Sequence, residues 1–212
     1  MVEIDRKEIK EKFGGDYIAD GNTFVMGIDR RFTNHFASRF SERRILETCA
    51  GAGFTTIALA KIARKVISVE IEPLHLVQAK QNVKTAGISN RVVFVLGNIL
   101  DPDLLNSLAD FDCAFIDPDW AVSGPKHEYR FRNANTRPPA DVVLSIILQR
   151  TKNVAIVLPP FIDIRELDGL PPHERQSLYL DTRHELYCLY FGDLKTTVGE
   201  TVFHETNSPS SC

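Results

Sequence analysis

The chain has 212 residues, of which 43% are hydrophobic and 25% charged, and its formal net charge is -3. This length suits one domain with a sizeable core, and the composition is that of a globular protein rather than a disordered one. The small negative charge excludes retention on nucleic acid by an overall basic field, so any nucleic-acid role must be local. No apolar run approaches membrane-spanning length, and the charged start argues against secretion.

Cysteine usage indicates a reducing compartment. Cys49, Cys113 and Cys188 lie in apolar, strand-like runs, and no cysteine shows the spacing of a metal site. Buried, reduced cysteines are typical of proteins from the cytosol. We therefore expect a cytoplasmic protein without a structural metal.

Residues 1–41 predict a helical extension of one or two short helices, interrupted at Gly14-Gly15 and Gly21-Asn22. The pattern leaves open whether this extension caps a pocket or only packs against the rest of the chain. Residues 42–206 are predicted to form the main domain, and residues 207–212 a disordered tail.

The main domain is predicted to alternate strands and helices, which is typical of parallel βαβ units. The predicted strands cover residues 44–49, 65–71, 91–96, 112–116 and 153–158, and the predicted helices cover residues 54–63, 73–86 and 141–150. Continuous runs of Val, Ile, Leu and Phe favour strands that are covered by helices on both faces of the sheet. Residues 185–191 and 197–204 predict a terminal β-hairpin, which would add an antiparallel strand.

A glycine loop follows the first predicted strand and opens the next helix, with the sequence Glu47-Thr48-Cys49-Ala50-Gly51-Ala52-Gly53. Glycines there permit a tight turn and close approach of the backbone to a ligand. Glu70 ends the next strand, where an acid can accept hydrogen bonds from both ribose hydroxyls of a nucleoside. Asn98, after the third strand, is placed to bond an adenine edge. An ordinary turn with an exposed acid is the simpler alternative.

The fourth strand ends in Asp117-Pro118-Asp119-Trp120, at the sheet edge where ligands bind in open α/β folds. A carboxylate, a rigid proline carbonyl and a large aromatic face therefore meet at this edge. Trp120 is placed to stack on a flat base beside Asp119. The alternative is that Trp120 only packs at the edge of the sheet.

Residues 121–139 are polar, basic and aromatic, and they predict a long loop over the site. Cations mixed with aromatic residues suit an RNA surface, and the candidate phosphate contacts are Lys126, Arg130 and Arg132. Solvated loop charge is an equally good interpretation.

Together these features resemble Rossmann-like class I methyltransferases over about residues 43–206. Residues 66–73, Gly97-Asn98 and the Asp-Pro-Asp-Trp segment are similar to the trimethylguanosine synthase family, which methylates N2 of cap guanine in RNA. The resemblance implies an α/β fold with a mostly parallel seven-stranded sheet and an antiparallel C-terminal hairpin strand. It also implies S-adenosylmethionine as cofactor and RNA as partner. The implied cofactor contacts are Glu47, Cys49, Ala50, Gly51, Gly53, Glu70, Ile71, Asn98 and Ile99, and the implied guanine-stacking residue is Trp120. Related amino methyltransferases accept hydrogen bonds from the amine with such a strand-end segment, which implies this catalytic role for Asp117 and the Pro118 carbonyl.

The acceptor segment departs from the family pattern, which is Ser-Pro-Pro-Trp followed closely by Gly-Gly-Pro. Asp117 replaces Ser, Asp119 replaces the second Pro, and residues 121–123 precede Gly124-Pro125. These changes leave the fold and cofactor intact but leave the acceptor open. The alternatives are a small-molecule or protein methyltransferase, or a catalytically inactive RNA-binding protein that binds S-adenosylmethionine. A nicotinamide oxidoreductase is disfavoured because Thr56 stands where G-x-G-x-x-G needs its third glycine.

Overall fold

The structure, a computed structural model, describes residues 4–120 and 128–206. The chain divides into two compact units, Met1–Asp119 and Trp120–Cys212. The predicted tail at residues 207–212 and the candidate Lys126 lie outside the described residues.

The first unit begins with three short helices and continues as alternating strands and helices. Its elements are α1 (Arg6–Phe13), α2 (Gly21–Met26), α3 (Arg30–Ala37), β1 (Arg44–Thr48), α4 (Phe54–Ile62), β2 (Lys65–Glu70), α5 (Pro73–Thr85), β3 (Val92–Leu96), α6 (Pro102–Ser107) and β4 (Cys113–Ile116). The strands pair in the order β3-β2-β1-β4, and the three pairings are parallel. Thr48 aligns with Val69 and with Ile116, so the carboxyl ends of β1, β2 and β4 lie at one edge.

Local sequence explains where these elements start and stop. Pro73 opens α5, where its fixed φ suits a helix and its missing N–H is not needed. After α5, Gly87 takes a φ of 73° that a residue with a side chain adopts at a cost. Asp20 caps α2: its side chain accepts a hydrogen bond from the Thr23 backbone N–H, and the Thr23 hydroxyl accepts one from the Asp20 backbone N–H.

The second unit contains α7 (Ala140–Leu148), β5 (Val154–Leu158), a 3₁₀ turn at Ile164–Leu167, β6 (His173–Leu180), β7 (Arg183–Phe191) and β8 (Gly199–Glu205). The strand order is β5-β7-β6-β8. Strand β7 runs antiparallel to β5 and to β6, whereas β8 runs parallel to β6. Among the described residues, no helix is long and apolar enough to cross a membrane.

The predicted α/β class and the mostly parallel strands with antiparallel strands near the C-terminus are confirmed. The described residues contain eight strands rather than the predicted seven, because the sequence did not reveal β6. The predicted hairpin partners were also wrong: β7 forms its hairpin with β6, and β8 pairs with β6 alone among the described pairings. Helix α6 was missed as well.

Strand β6 escaped detection because its sequence, His-Glu-Arg-Gln-Ser-Leu-Tyr-Leu, is polar along most of its length. Its alternate residues Glu174 and Gln176 are nevertheless buried. The Glu174 carboxylate accepts from the backbone and hydroxyl of Thr196, at 2.7 and 3.0 Å, and from the Thr201 hydroxyl at 2.6 Å. These bonds offset the burial of a carboxylate and hold β8 against β6.

Candidate functional site

The carboxyl edge of the first unit gathers the residues that the sequence predicted to bind a cofactor. Cys49 follows β1, Ile71 follows β2, Asn98 lies just beyond β3, and Asp117 follows β4. Because parallel strands end at a common edge, these positions meet there although they are far apart in sequence. Along this edge the segments follow the strand order β3-β2-β1-β4, which differs from their order along the chain.

The glycine loop alternates left-handed residues: φ is 61° at Cys49, 53° at Gly51 and 80° at Gly53. A Cβ on Gly53 would lie 3.0 Å from the Cα of Ala79 on α5, so this glycine allows the loop to pack against the helix. A Cβ on Gly51 would meet nothing within 4 Å. The open space at Gly51 leaves room for a ligand to approach the backbone, and contact with a cofactor there stays a prediction.

Cys49 holds a left-handed conformation without being glycine, which marks the start of the loop as a constrained backbone position. Burial raises the pKa of its thiol well above the ordinary value. The thiol therefore stays protonated and is not a nucleophile. The contact of Cys49 with a cofactor stays a prediction.

Glu70 joins β2 to the glycine loop. Its side chain is 6% exposed, and its two carboxylate oxygens accept from the backbone N–H of Gly51 at 2.7 Å and of Glu72 at 2.9 Å. A carboxylate oxygen has two lone pairs, so each retains capacity for a hydroxyl donor. Glu70 is thus placed to hold the loop and to accept from a ribose diol. Ile71 beside it is 57% exposed, and this apolar surface suits the face of a purine.

Glu47 lies beneath the loop rather than at its surface. It is 1% exposed, and one oxygen accepts from the hydroxyls of Thr56 on α4 at 2.6 Å and Ser68 on β2 at 2.7 Å. Burial raises the pKa of Glu47 to about 7, while the two hydroxyl donors act in the opposite direction. The described contacts give Glu47 a role in anchoring α4 to β2. Direct contact with a cofactor stays a prediction.

The segment after β3 also connects to Glu70. The Gly97 N–H donates to the Glu70 carbonyl at 2.9 Å, and the exposed Asn98 uses its side-chain oxygen to accept from Leu100 N–H at 3.0 Å. Ile99 is buried. The amide of Asn98 is held at the sheet edge by this turn, and its contact with adenine stays a prediction.

Asp117 is the candidate acceptor-side carboxyl of the first unit. Burial, followed by the neighbouring charges of Glu47 and Asp119, raises its pKa to about 8. Pro118 after it is buried. A carboxyl with such a pKa carries a proton in the free protein at neutral pH and is readily ionised when a cation comes near.

Trp120 begins the second unit. Its indole Nε1 is buried and has no hydrogen-bond partner among residues 4–120 and 128–206. A buried donor without a partner costs about 1–3 kcal/mol and calls for a functional explanation. An acceptor atom on a bound ligand would provide one.

The arginines predicted to contact phosphate have protein partners in the second unit. Arg130 donates through Nε to Glu166 Oε1 at 2.9 Å, and the backbone N–H groups of Phe131 and Arg132 donate to Oε2 at 2.6 and 2.9 Å. The Arg132 guanidinium donates to the carbonyls of Glu166 at 2.8 Å and Asp168 at 2.6 Å. These contacts order the segment, and RNA contact by either arginine stays a prediction.

The sequence analysis missed two residues that the structure places at the centre of polar networks. Glu166 collects the bonds just described, and Asn82 on α5 bonds both the N-terminal segment and the glycine loop. The pattern Asp163-Ile164-Arg165-Glu166 is a helix-start signal that could have drawn attention to Glu166. Asn82 carried no signal because its partners are distant in sequence.

Comparison with known proteins identifies the class and then the family. Among solved structures, an inferred methyltransferase from Porphyromonas gingivalis W83 has a TM-score of 0.73 at 16% identity, covering 91% of this chain and 49% of that chain. The T. thermophilus 16S rRNA N2-guanine methyltransferase, solved with S-adenosylmethionine and guanosine, has a TM-score of 0.56 at 14% identity, covering 82% of this chain and 43% of that chain. The fold is that of class I S-adenosylmethionine-dependent methyltransferases.

The chain matches the family model "RNA cap guanine-N2 methyltransferase" over residues 42–205, and it belongs to this family. The trimethylguanosine synthase of Schizosaccharomyces pombe is 34% identical over 159 residues, which are 69% of this chain and 64% of the relative. A catechol O-methyltransferase of Mycobacterium tuberculosis is 36% identical over 92 residues, or 42% of each chain. The matches thus cover less than two thirds of either relative's length.

The predicted family and its cofactor, S-adenosylmethionine, are confirmed. The residues present fit that cofactor: the backbone is open at Gly51, Glu70 has acceptor capacity for a ribose, and Ile71 offers an apolar face. Among the described residues, no group of three or more His, Cys, Asp or Glu side chains could hold a metal ion.

Proposed function

We propose that this protein methylates an exocyclic amine of a base in RNA, with N2 of guanine as the acceptor. Membership of the guanine-N2 family supports the reaction class. The observation that carries the proposal is the position of Asp117: Thr48 and Ile116 are register partners on β1 and β4, so the glycine loop and Asp117 leave adjacent strands at the same level. A carboxyl next to a cofactor loop is where an amine must be oriented.

S-adenosylmethionine supplies an electrophilic methyl group when it is bound. The task left to the protein is to align a neutral amine with that methyl and to keep water away. Asp117 and the carbonyl of Pro118 accept hydrogen bonds from the amine, and Asp117 must be ionised to do so with both oxygens. A base that carries positive charge, such as N7-methylguanine, lowers the pKa of Asp117 and favours that form.

Trp120 is proposed to stack on the acceptor base. Stacking of a base on an aromatic ring contributes about 1–3 kcal/mol, and a cationic base adds a cation–π attraction. The buried, unpartnered Nε1 of Trp120 supports a ligand contact, because an acceptor on the substrate would satisfy it. Asp119 is proposed to add negative charge that complements a cationic base.

RNA is proposed as the partner because of the family and the segment that contains Arg130 and Arg132. Arg130 has a side chain that is 55% exposed while paired with Glu166, so part of its guanidinium faces solvent. Ordering by Glu166 presets the positions of both arginines, which reduces the entropy lost when they meet a phosphate. Lys126 belongs to the same proposed surface.

The test is methyl transfer from radiolabelled cofactor to N7-methylguanosine-capped RNA, unmethylated capped RNA, tRNA, rRNA and free nucleosides, with the product base identified by mass spectrometry. We expect N2-methylated guanine as product. Asp117→Ala should lower kcat at least tenfold with unchanged S-adenosylhomocysteine affinity, and Trp120→Ala should mainly raise KM for the acceptor. Glu128→Ala, at an exposed site, is the control. Label on a protein or small metabolite would refute the RNA assignment, and cofactor binding without turnover on any acceptor would favour the inactive alternative.

A further inference from the structure

Asn82 on α5 connects two parts of the first unit that are distant in sequence. The side chain is 0% exposed, and its oxygen accepts from Ile18 N–H at 2.8 Å. Its nitrogen donates to the carbonyls of Ile18 at 2.8 Å and Ala52 at 2.9 Å. Reversing the amide would point a donor at Ile18 N–H, so the three partners fix its orientation.

The same N-terminal segment, residues 4–27, packs on the glycine loop through aromatic rings. Phe13 of α1 stacks on Phe54, the first residue of α4, with ring centroids 3.5 Å apart and planes at 5°. A Cβ on Gly27 would lie within 2.8 Å of atoms in both rings, so the segment fits closely at this point. Ala52 and Phe54 belong to one apolar cluster with Ile9 and Phe13. The residues after Gly51 thus form part of the surface on which the N-terminal segment lies.

Gln78, one turn before Asn82 on α5, provides a second anchor that does not include the loop. Its nitrogen donates to the Asp20 carboxylate at 2.8 Å, and its oxygen accepts from the Thr23 hydroxyl at 2.8 Å. Both amides therefore hold the N-terminal segment, and Asn82 in addition bonds the loop. Substitution of Gln78 therefore weakens only the anchoring of the N-terminal segment, whereas substitution of Asn82 also removes the bond to the glycine loop.

The bond from Asn82 to Ala52 acts on the peptide that joins Ala52 to Gly53. The neighbouring N–H of Gly51 is held from the sheet side by Glu70 at 2.7 Å. The loop is consequently fixed from two directions, by Glu70 at one peptide and by Asn82 nearby. Loss of the Asn82 bond leaves the Ala52 carbonyl without that partner. The peptide is then held through the Gly53 N–H, which donates to the Ala50 carbonyl at 2.8 Å, and its position is less constrained.

We propose that Asn82 is a positioning residue that couples the N-terminal segment to cofactor binding. Docking of residues 4–27 sets the loop in the form that binds S-adenosylmethionine, and the bound cofactor in turn stabilises the docked segment. Linkage requires the two effects to be equal in size. The coupling concerns the cofactor and is independent of which acceptor the enzyme methylates.

The first experiment uses the unaltered protein. Exchange of the Ile18 amide hydrogen is followed by NMR with and without saturating S-adenosylhomocysteine, with the amide of Asp181, which donates to the Glu205 carbonyl in the second unit, as reference. We expect protection of Ile18 to rise at least about fivefold more than that of Asp181, at the low end of typical coupling. An equal change at both amides would overturn the proposal, and this result requires no variant to fold.

The second experiment compares Asn82→Ala with Gln78→Ala by calorimetry with S-adenosylhomocysteine, at a temperature where circular dichroism shows each variant folded. Asn82→Ala should weaken binding about tenfold and remove the ligand effect on Ile18 exchange. Gln78→Ala, which keeps the bond from Asn82 to Ala52, should weaken S-adenosylhomocysteine binding less than about threefold. A folded Asn82→Ala variant with unaltered affinity would show that Asn82 contributes to stability alone, and the coupling would be refuted.

Discussion

The carboxylate of Glu70 accepts a hydrogen bond from the backbone N–H of Gly51 at 2.7 Å, so the acid that is predicted to bind a ribose also fixes the glycine loop. The bond spans β2 and the turn after β1, and the second carboxylate oxygen is oriented by Glu72 N–H at 2.9 Å. If Glu70 binds the ribose as predicted, one side chain combines recognition with preorganisation of the backbone.

Glu70→Gln should weaken S-adenosylhomocysteine binding about 10- to 100-fold, because hydrogen bonds to a charged group are worth about 1.5–3 kcal/mol and an amide presents one acceptor oxygen fewer. Calorimetry measures the change. Glu72→Gln removes a neighbouring exposed carboxylate and keeps the backbone N–H that orients Glu70, so it is the matched control. Equal effects of the two substitutions would mean that bulk negative charge matters rather than the position of Glu70.

The two loop glycines should separate stability from binding. Gly53→Ala forces a Cβ to within 3.0 Å of Ala79 at a φ of 80°, and it should lower the free energy of unfolding by about 2–4 kcal/mol. Gly51→Ala meets no atom within 4 Å, and it should cost about 1–2 kcal/mol for its φ of 53°.

Gly53→Ala should cost more stability than Gly51→Ala, but the effect on binding should be in the opposite order. Relative to the stability that each variant loses, Gly51→Ala should cause the greater loss of cofactor affinity. Urea unfolding and calorimetry on the same preparations provide both numbers. Wild-type affinity in Gly51→Ala would show that the open space there is not where the cofactor lies.

Stability should fall as pH rises because the carboxyls of Glu47 and Asp117 have raised pKa values in the folded protein. Burial raises the pKa of Glu47 to about 7 and that of Asp117 to about 8, so the folded state binds protons that the unfolded chain has released. A raised pKa contributes stability that is complete below the unfolded value, near pH 4, and is lost progressively up to pH 8. Urea unfolding between pH 5.5 and pH 8.5 should show the fall, and Asp117→Asn should make it smaller by at least about 1 kcal/mol. An identical pH profile in the variant would place the titration elsewhere.

Activity should depend on the ionisation of Asp117 with the opposite sign, rising with pH where stability falls. In the proposed mechanism Asp117 orients the amine best as a carboxylate, so kcat should rise with pH through the pKa of Asp117 in the complex. Asp117→Asn keeps an acceptor oxygen that does not titrate, so it should retain partial turnover and lose this limb of the profile. A persistent limb in the variant would assign the titrating group to the substrate or another residue.

Glu166 should be required for the order of the segment at residues 128–136. Its side chain is 14% exposed, and although burial opposes ionisation, hydrogen bonds from Arg132 and Phe131 N–H and from the Arg130 guanidinium lower its pKa. A lowered pKa gives stability above the unfolded pKa that is lost as pH falls. Glu166→Ala should lower the free energy of unfolding by about 1–3 kcal/mol and speed proteolysis of the segment. Glu128→Ala, which keeps the carbonyl that accepts from Asn135, should do neither.

The sequence by itself determined the parallel strands, the glycine loop and the position of the acid at the end of β2, because these depend on local patterns. Apolar strands, a glycine turn and an acid at the next strand end are each legible within about twenty residues. The predicted boundaries of β1, α4, β2 and α5 accordingly lie within one residue of those observed. The family resemblance rested on the same short segments.

Only the tertiary structure decided the roles of polar residues whose partners are distant. Ile18 and Asn82 are 64 residues apart, and Phe131 and Glu166 are 35 apart, so neither pair leaves a periodic trace in the sequence. Strand β6 was hidden for the same reason, since Glu174 becomes a core residue through bonds to Thr196 and Thr201. A buried polar side chain is stable only where folding brings it the right partners, and that condition is set in three dimensions.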